Sequence, residues 1–138
     1  MEFKNEIAII QQRATQTNVG VIRRQAILNE LNIQKGQTII DIGCGGGHLL
    51  KEISLAVGEK GKIIGVDSSD FQIKSAKELC SDLSNVELLC CNADDIMIEP
   101  KSCDAVTSTQ TLEYIEGIDD VLREMKRLQK PNSKFVNI

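Results

Sequence analysis

The residues of this sequence best suited to chemistry are two acids flanking a run of glycines. Asp41 opens the segment Asp41-Ile42-Gly43-Cys44-Gly45-Gly46-Gly47-His48, and Asp67 closes the next apolar run. Glycines in such a loop let the backbone turn sharply and let a ligand lie against it without Cβ interference. A G-x-G-x-x-G dinucleotide fingerprint would place its third glycine at His48 or at Leu50, and neither is glycine. From Gly43 the sequence instead carries glycine at every second position. A carboxylate beside a pyrophosphate is repelled, whereas an ammonium group is attracted. Asp41 therefore points to a ligand with a cationic end. Asp67 sits where doubly wound folds place an acid that accepts from both ribose hydroxyls.

The remaining titratable candidates are few. His48, the single histidine, stands at the start of a helix, which disfavours imidazolium, so a neutral ring facing a ligand tail or solvent is expected. Glu113 and Tyr114 come after the fourth apolar run, where an acceptor would come in, and read as helix surface and pocket wall ahead of proton acceptors. Arg23 and Arg24 read as solvated helix charges. The five cysteines, at 44, 80, 90, 91 and 103, form no C-x-x-C pair and read as buried thiols with no disulfide framework or metal site. If Cys90 and Cys91 lie on a strand, they point to opposite faces.

The elements that must hold these residues can be placed from the apolar pattern. Before position 36 apolar residues recur at helical spacing, at Ile7, Ile10 and Ala14, then at Val21, Ile22, Ala26, Ile27, Leu28 and Leu31. Two helices broken near Thr17 to Gly20 fit this pattern. From Gln37 onward short apolar runs alternate with longer periodic segments, the pattern of strands buried on both faces between helices. The runs are 38–42, 62–67, 86–90, 104–108 and 134–138. Helices are expected from Gly47 to near Gly58, from Ser69 with Gln72 as a capping-box partner, and over 118–130, with Pro131 as the stop. The last carries apolar residues at Ile118, Val121, Leu122, Met125 and Leu128. Right-handed crossovers make the sheet parallel. The expectation is an α/β, Rossmann-like, doubly wound and mostly parallel sheet. Residues 1–35 form helices packing on a core of 36–138.

At 138 residues, 41% apolar and 26% charged, the chain has the composition of one folded domain. No window approaches the roughly 18 consecutive apolar residues of a membrane span, and charges at Glu2, Lys4, Glu6 and Arg13 occupy the place of a secretory signal. No membrane contact and a cytoplasmic location are expected. A net charge of −4 without a basic cluster, and only four aromatic side chains, speak against nucleic acid.

A ribonucleoside joined to an amino-acid tail, with no pyrophosphate, describes S-adenosylmethionine. D-x-G-x-G-x-G followed by a Val-Asp strand end is similar to the first motifs of class I S-adenosylmethionine-dependent methyltransferases of the small-molecule, methyltransferase type 11-like kind. The likeness runs over residues 23–138. Gly65-Val66-Asp67-Ser68-Ser69 resembles the family's ribose strand, and Gln72 falls where a side chain often packs against adenine. Asn92-Ala93-Asp94-Asp95 resembles the Gly-Asp-Ala segment, with an uncharged Asn92 in place of the adenine-reading acid. Residues 108–115 match the end of the fourth strand and the loop after it, and 123–133 resemble a helix ending in Leu-Lys-Pro-Gly-Gly, with Asn132 and Ser133 replacing the glycines. Asn tolerates the left-handed conformation, so the turn can survive.

The resemblance implies methyl transfer from a sulfonium to a small-molecule acceptor by in-line displacement, needing alignment and exclusion of water and no metal. Asp41 would fix the aminoacyl tail, with Gly43, Cys44, Gly45 and Gly47 admitting it to the backbone. Asp67 would hold the ribose. Ser68, Gln72, Asn92 and Ala93 would surround adenine, and Thr109 and Gln110 would face the methyl. No catalytic base is evident. The alternatives are a non-catalytic cofactor-binding or assembly domain, and a nicotinamide dehydrogenase, which the glycine spacing disfavours. The family's sheet has seven strands and this sequence stops after the fifth. A fragment of a longer protein, or a homodimer pairing through the last strand, is therefore expected.

Overall fold

The computed structural model describes residues 2–109, 112 and 115–137. Two helices open the chain, α1 (Glu2–Thr15) and α2 (Asn18–Leu31). Thr17 separates them as an N-cap, its hydroxyl accepting from the Gly20 N–H at 3.2 Å. After them come β1 (Thr38–Ile42), α3 (His48–Val57), β2 (Lys62–Asp67), α4 (Asp70–Leu79), β3 (Val86–Cys90), β4 (Cys103–Ser108), α5 (Ile118–Leu128) and β5 (Gln129–Asn137). Among the described residues five strands form one sheet in the order β3-β2-β1-β4-β5, each neighbour pair parallel. This is the α/β, Rossmann-like sheet that the alternating apolar runs imply.

The apolar character of β1 explains its central place. Ile39, Ile40 and Ile42 are all fully buried, which requires helices on both faces of the sheet. On one face Ile27 and Leu31 of α2, Leu50 and Ile53 of α3 and Ile73 and Ala76 of α4 pack against Ile39, Ile63 and Ala105. On the other, Val121, Met125 and Leu128 of α5 cover Ile40, Ile64 and Val106. Each such buried aliphatic side chain contributes about 1.5–3 kcal/mol.

Several elements depart from the sequence pattern. β3 lies at an edge and is only half buried, not enclosed on both faces. Ile118 and Leu122 of α5 are exposed, so its buried stripe is narrower than its apolar content. α1 buries Ala8 while Ile7 and Ile10 stay exposed, because it docks through the side chains of Gln11 and Gln12 onto Gln72 of α4. α5 ends at Leu128, before Pro131, since Gln129 is already extended (φ −80°, ψ 134°). β5 begins there and carries extra residues, with Cys103 opposite Gln129 but Ala105 opposite Lys134. Asn132 takes φ +63° inside that bulge, the left-handed turn expected where the family has glycine.

Among the described residues no helix is long and apolar enough to cross a membrane. Cys44, Cys80 and Cys103 are buried as expected, but Cys90 is exposed, because the edge position of β3 leaves that side uncovered.

Candidate functional site

The carboxyl ends of β1 and β2 converge on the glycine loop. β1 delivers Asp41 and β2 delivers Asp67, and the loop between β1 and α3 folds back over the end of β2. There the N–H groups of Gly43 and Cys44 both donate to Val66 O, at 2.7 and 3.0 Å. Gly47 caps α3 at φ +92°, where a Cβ would stand 3.1 Å from that of Ala76, so both the conformation and the close approach of α4 require glycine. Gly45, at φ +55°, would carry a Cβ in ordinary contact with Gln72 Nε2 at 4.0 Å, with no clash.

Asp67 is oriented by the backbone. Its Oδ2 accepts from Gly45 N–H at 3.0 Å and its Oδ1 from Ser69 N–H at 2.9 Å. Each oxygen keeps a second lone pair for a ligand hydroxyl. Asp41 is in a different state. It is 2% exposed, and its Oδ1 has no hydrogen-bond partner among the described residues. Burial, reinforced by the Asp67 charge, pushes its carboxyl up to about 8 from an ordinary 3.8. A buried acceptor without a partner beside an open glycine loop suits a cationic ligand group.

A cleft of about 210 Å³ opens beside Asp67, and Asp41, Cys44, Gly45 and Gly47 do not line it. It is lined by Ile42, Gly43, Val66, Asp67 and Ser68 from the ends of β1 and β2, by Cys91, Asn92, Ala93 and Asp94 after β3, and by Ile115, Glu116 and Val121. Gly43, Asp67, Ser68, Asn92 and Ala93 are thus brought together. Gln72 does not line this cleft. Its amide is held by α1, Oε1 accepting from Gln12 Nε2 at 2.7 Å and Nε2 donating to Gln11 Oε1 at 3.2 Å. The reciprocal half of the expected capping box is therefore absent, although the Ser69 hydroxyl accepts from Gln72 N–H. Thr109 comes directly after β4, while Gln110, Glu113 and Tyr114 lie outside the described residues.

Gln11, Gln12, Ile115 and Glu116 carry no signal in the sequence, because a helix amide and a loop side chain acquire a site only through packing. Cys44 is buried, and burial with the Asp41 and Asp67 charges drives its thiol far up, so it packs unreactively under the loop. His48 is lowered, chiefly by burial and then by the Arg24 guanidinium. The neutral ring anticipated from the helix terminus thus has another cause. Arg24 is not a solvated charge. Its Nε meets Glu52 Oε1 at 3.1 Å and its guanidinium donates to Thr15 O, tying α1 and α2 to α3.

A methyltransferase domain family model matches residues 33–137. The demethylmenaquinone methyltransferase of Oceanobacillus iheyensis is 37% identical over 117 residues, covering 83% of this chain and 49% of that protein. A solved S-adenosylmethionine-dependent methyltransferase from Aquifex aeolicus superposes with a TM-score of 0.76 at 28% identity, over 82% of this chain and 62% of the other. A structure from Methanococcus maripaludis, 21% identical, covers 96% of this chain and 62% of its own length at a TM-score of 0.82, a likeness of fold alone. The chain spans about half the length of the curated relatives it matches. With the glycine loop, the two acids and the parallel sheet in place, this chain belongs to the methyltransferase domain family, and its fold is the Rossmann-like core of class I S-adenosylmethionine-dependent methyltransferases.

Proposed function

We propose that the chain is the cofactor-binding core of an enzyme that methylates a small-molecule acceptor with S-adenosylmethionine. The observation that carries this reading is the partnerless, buried Asp41 oxygen beside the glycine loop and the backbone-oriented Asp67. S-adenosylmethionine supplies an activated methyl group on a sulfonium. Asp41 receives the ammonium of the aminoacyl tail, and Gly43, Cys44, Gly45 and Gly47 admit that tail to the backbone. Asp67 accepts from the ribose, while Ser68, Asn92 and Ala93 enclose the base. Thr109 and Gln110 belong to the acceptor side. Gln72 acts at one remove, by holding α1 against the glycine loop.

The name of the Oceanobacillus relative favours an apolar quinone-type acceptor among small molecules. The open outer edge of β5 is read as a pairing surface, for further strands of a longer chain or for a second copy, because its backbone groups on that side await partners. Residues 1–35 act with the core as its cover.

Calorimetric titration with S-adenosylhomocysteine tests the reading. Saturable heat with S-adenosylhomocysteine and none with NAD supports it, and the reverse refutes it. Binding followed by no methyl transfer to any quinol or other small acceptor, in a protein of the relatives' full length, would favour a non-catalytic binding or assembly domain.

A further inference from the structure

Two parts of the cleft lining are held in different ways. One is the end of β1 and β2 and has the sheet behind it, whereas Cys91–Asp94 is a loop with no ladder of its own. At its start, Cys91 N–H donates to Asp67 O at 3.2 Å, and at its end Asp95 N–H donates back to Asn92 O at 3.2 Å. The next residues along the chain, 96–98, are gripped by α5. Glu124 Oε2 accepts from Ile96 N–H at 2.9 Å, and Arg127 donates through Nη2 to Ile96 O and through Nη1 to Ile98 O, each at 2.8 Å. Arg127 Nε in turn donates to Glu124 Oε1. Ile96 itself is 2% exposed in the cluster that contains Val121 and Met125 of the same helix.

Two side chains one helical turn apart thus capture three backbone groups of the segment on which the loop hangs. The pair is charged. Burial opposes ionisation of Glu124, but the hydrogen bonds from Arg127 and Ile96 N–H outweigh it and hold the carboxyl below its usual range. Charge-assisted bonds of this kind are roughly twice as strong as neutral ones. Their targets are main-chain atoms, so they fix the path of the loop irrespective of its side chains. The methyl-transfer chemistry makes no demand on either residue.

We propose that Glu124 and Arg127 are positioning residues for base recognition: by gripping Ile96 and Ile98 they hold the Asn92–Asp94 wall where Asn92 can accept from the exocyclic amine of the cofactor's adenine. This deepens the cofactor reading above and rests on it. A lysine in place of Arg127 keeps a cation beside Glu124 but lacks the planar fork that spans two carbonyls.

The test compares S-adenosylhomocysteine with its purine analogue, whose base carries a hydrogen in place of the amine and so offers the Asn92 amide no partner in either orientation, by calorimetry on the wild-type chain and on Arg127→Lys and Arg127→Met. The wild type is expected to prefer the adenosyl ligand about tenfold, since a site built to bond the amine is left with an unmet acceptor by the analogue. Both variants should lose most of that preference, with the affinity for the purine analogue unchanged and the unfolding midpoint of Arg127→Lys close to that of the wild type. Equal weakening of both ligands would mark a merely structural role and overturn the proposal. So would an undiminished preference in Arg127→Lys. A wild type that binds both ligands equally overturns base reading alone, whereas one that binds neither overturns the cofactor reading itself.

Discussion

Replacing Asp41 by Asn should make the ligand-free protein more stable, by an amount that grows with pH. In the folded state the carboxyl titrates near 8, and in an unfolded chain near 3.8. Between those values the folded protein holds a proton that the unfolded chain has released. A raised acid therefore contributes stability that is complete below the unfolded value and is lost as pH rises through the folded one. The slope is about 1.4 kcal/mol per pH unit. From pH 5 to pH 8 the wild type should lose about 4 kcal/mol that Asp41→Asn does not lose. For a domain of this size that corresponds to roughly 10 °C or more in the midpoint. The assay is thermal unfolding of both proteins from pH 5 to pH 9, taking the difference between the curves so that other groups cancel. Parallel curves would refute the reasoning, because they would mean that Asp41 is not protonated in the free fold. Under the proposed function, S-adenosylhomocysteine must drive that proton off. Its binding heat at pH 7 should then vary with the ionisation enthalpy of the buffer in the wild type, and not in Asp41→Asn.

Gly47→Ala should lower stability by about 1–3 kcal/mol, through the left-handed backbone and the 3.1 Å approach to Ala76, read as a drop in the denaturant midpoint. Gly45→Ala makes no clash, its Cβ reaching only Gln72 Nε2 at 4.0 Å, and should cost about 1 kcal/mol of stability while weakening S-adenosylhomocysteine far more, so a calorimetric loss no larger than the stability loss would count against a ligand at that position. Asp67→Asn keeps one acceptor oxygen for two backbone donors, and faster hydrogen exchange at Gly45 or Ser69 should report the loosened loop. Thiol labelling at pH 8 followed by mass spectrometry should modify Cys90 first and Cys103 only on unfolding, since Cys103 is buried with its thiol raised to about 11, chiefly by burial.

How far the sequence carries depends on whether a feature is local. The strands 38–42, 62–67 and 86–90 and the α3 helix are legible because continuous apolar runs and bounding glycines act within a few residues. The glycine spacing and the two acids are legible for the same reason, since a tight turn needs glycine wherever it occurs. The family resemblance rests on these segments, and the match over residues 33–137 covers them. The stop of α5 at Leu128 and the bulge in β5 were not legible, because register against β4 sets them and Pro131 marks only where a helix cannot continue.

The sequence by itself determined which residues can turn, cap and ionise. Only the tertiary structure decided what each of them faces. Gln72 could read as a cap partner or a base contact until α1 claimed its amide, and Arg24 as a solvated charge until Thr15 and Glu52 enclosed it. Arg127 was one more helix cation until two carbonyls of a distant loop met its fork. Conformational preference belongs to a residue and its neighbours, whereas desolvation and hydrogen-bond partnership belong to groups brought together from far along the chain. Asp41 joins the two: its place before the glycines was fixed by sequence, and its proton by burial beside Asp67.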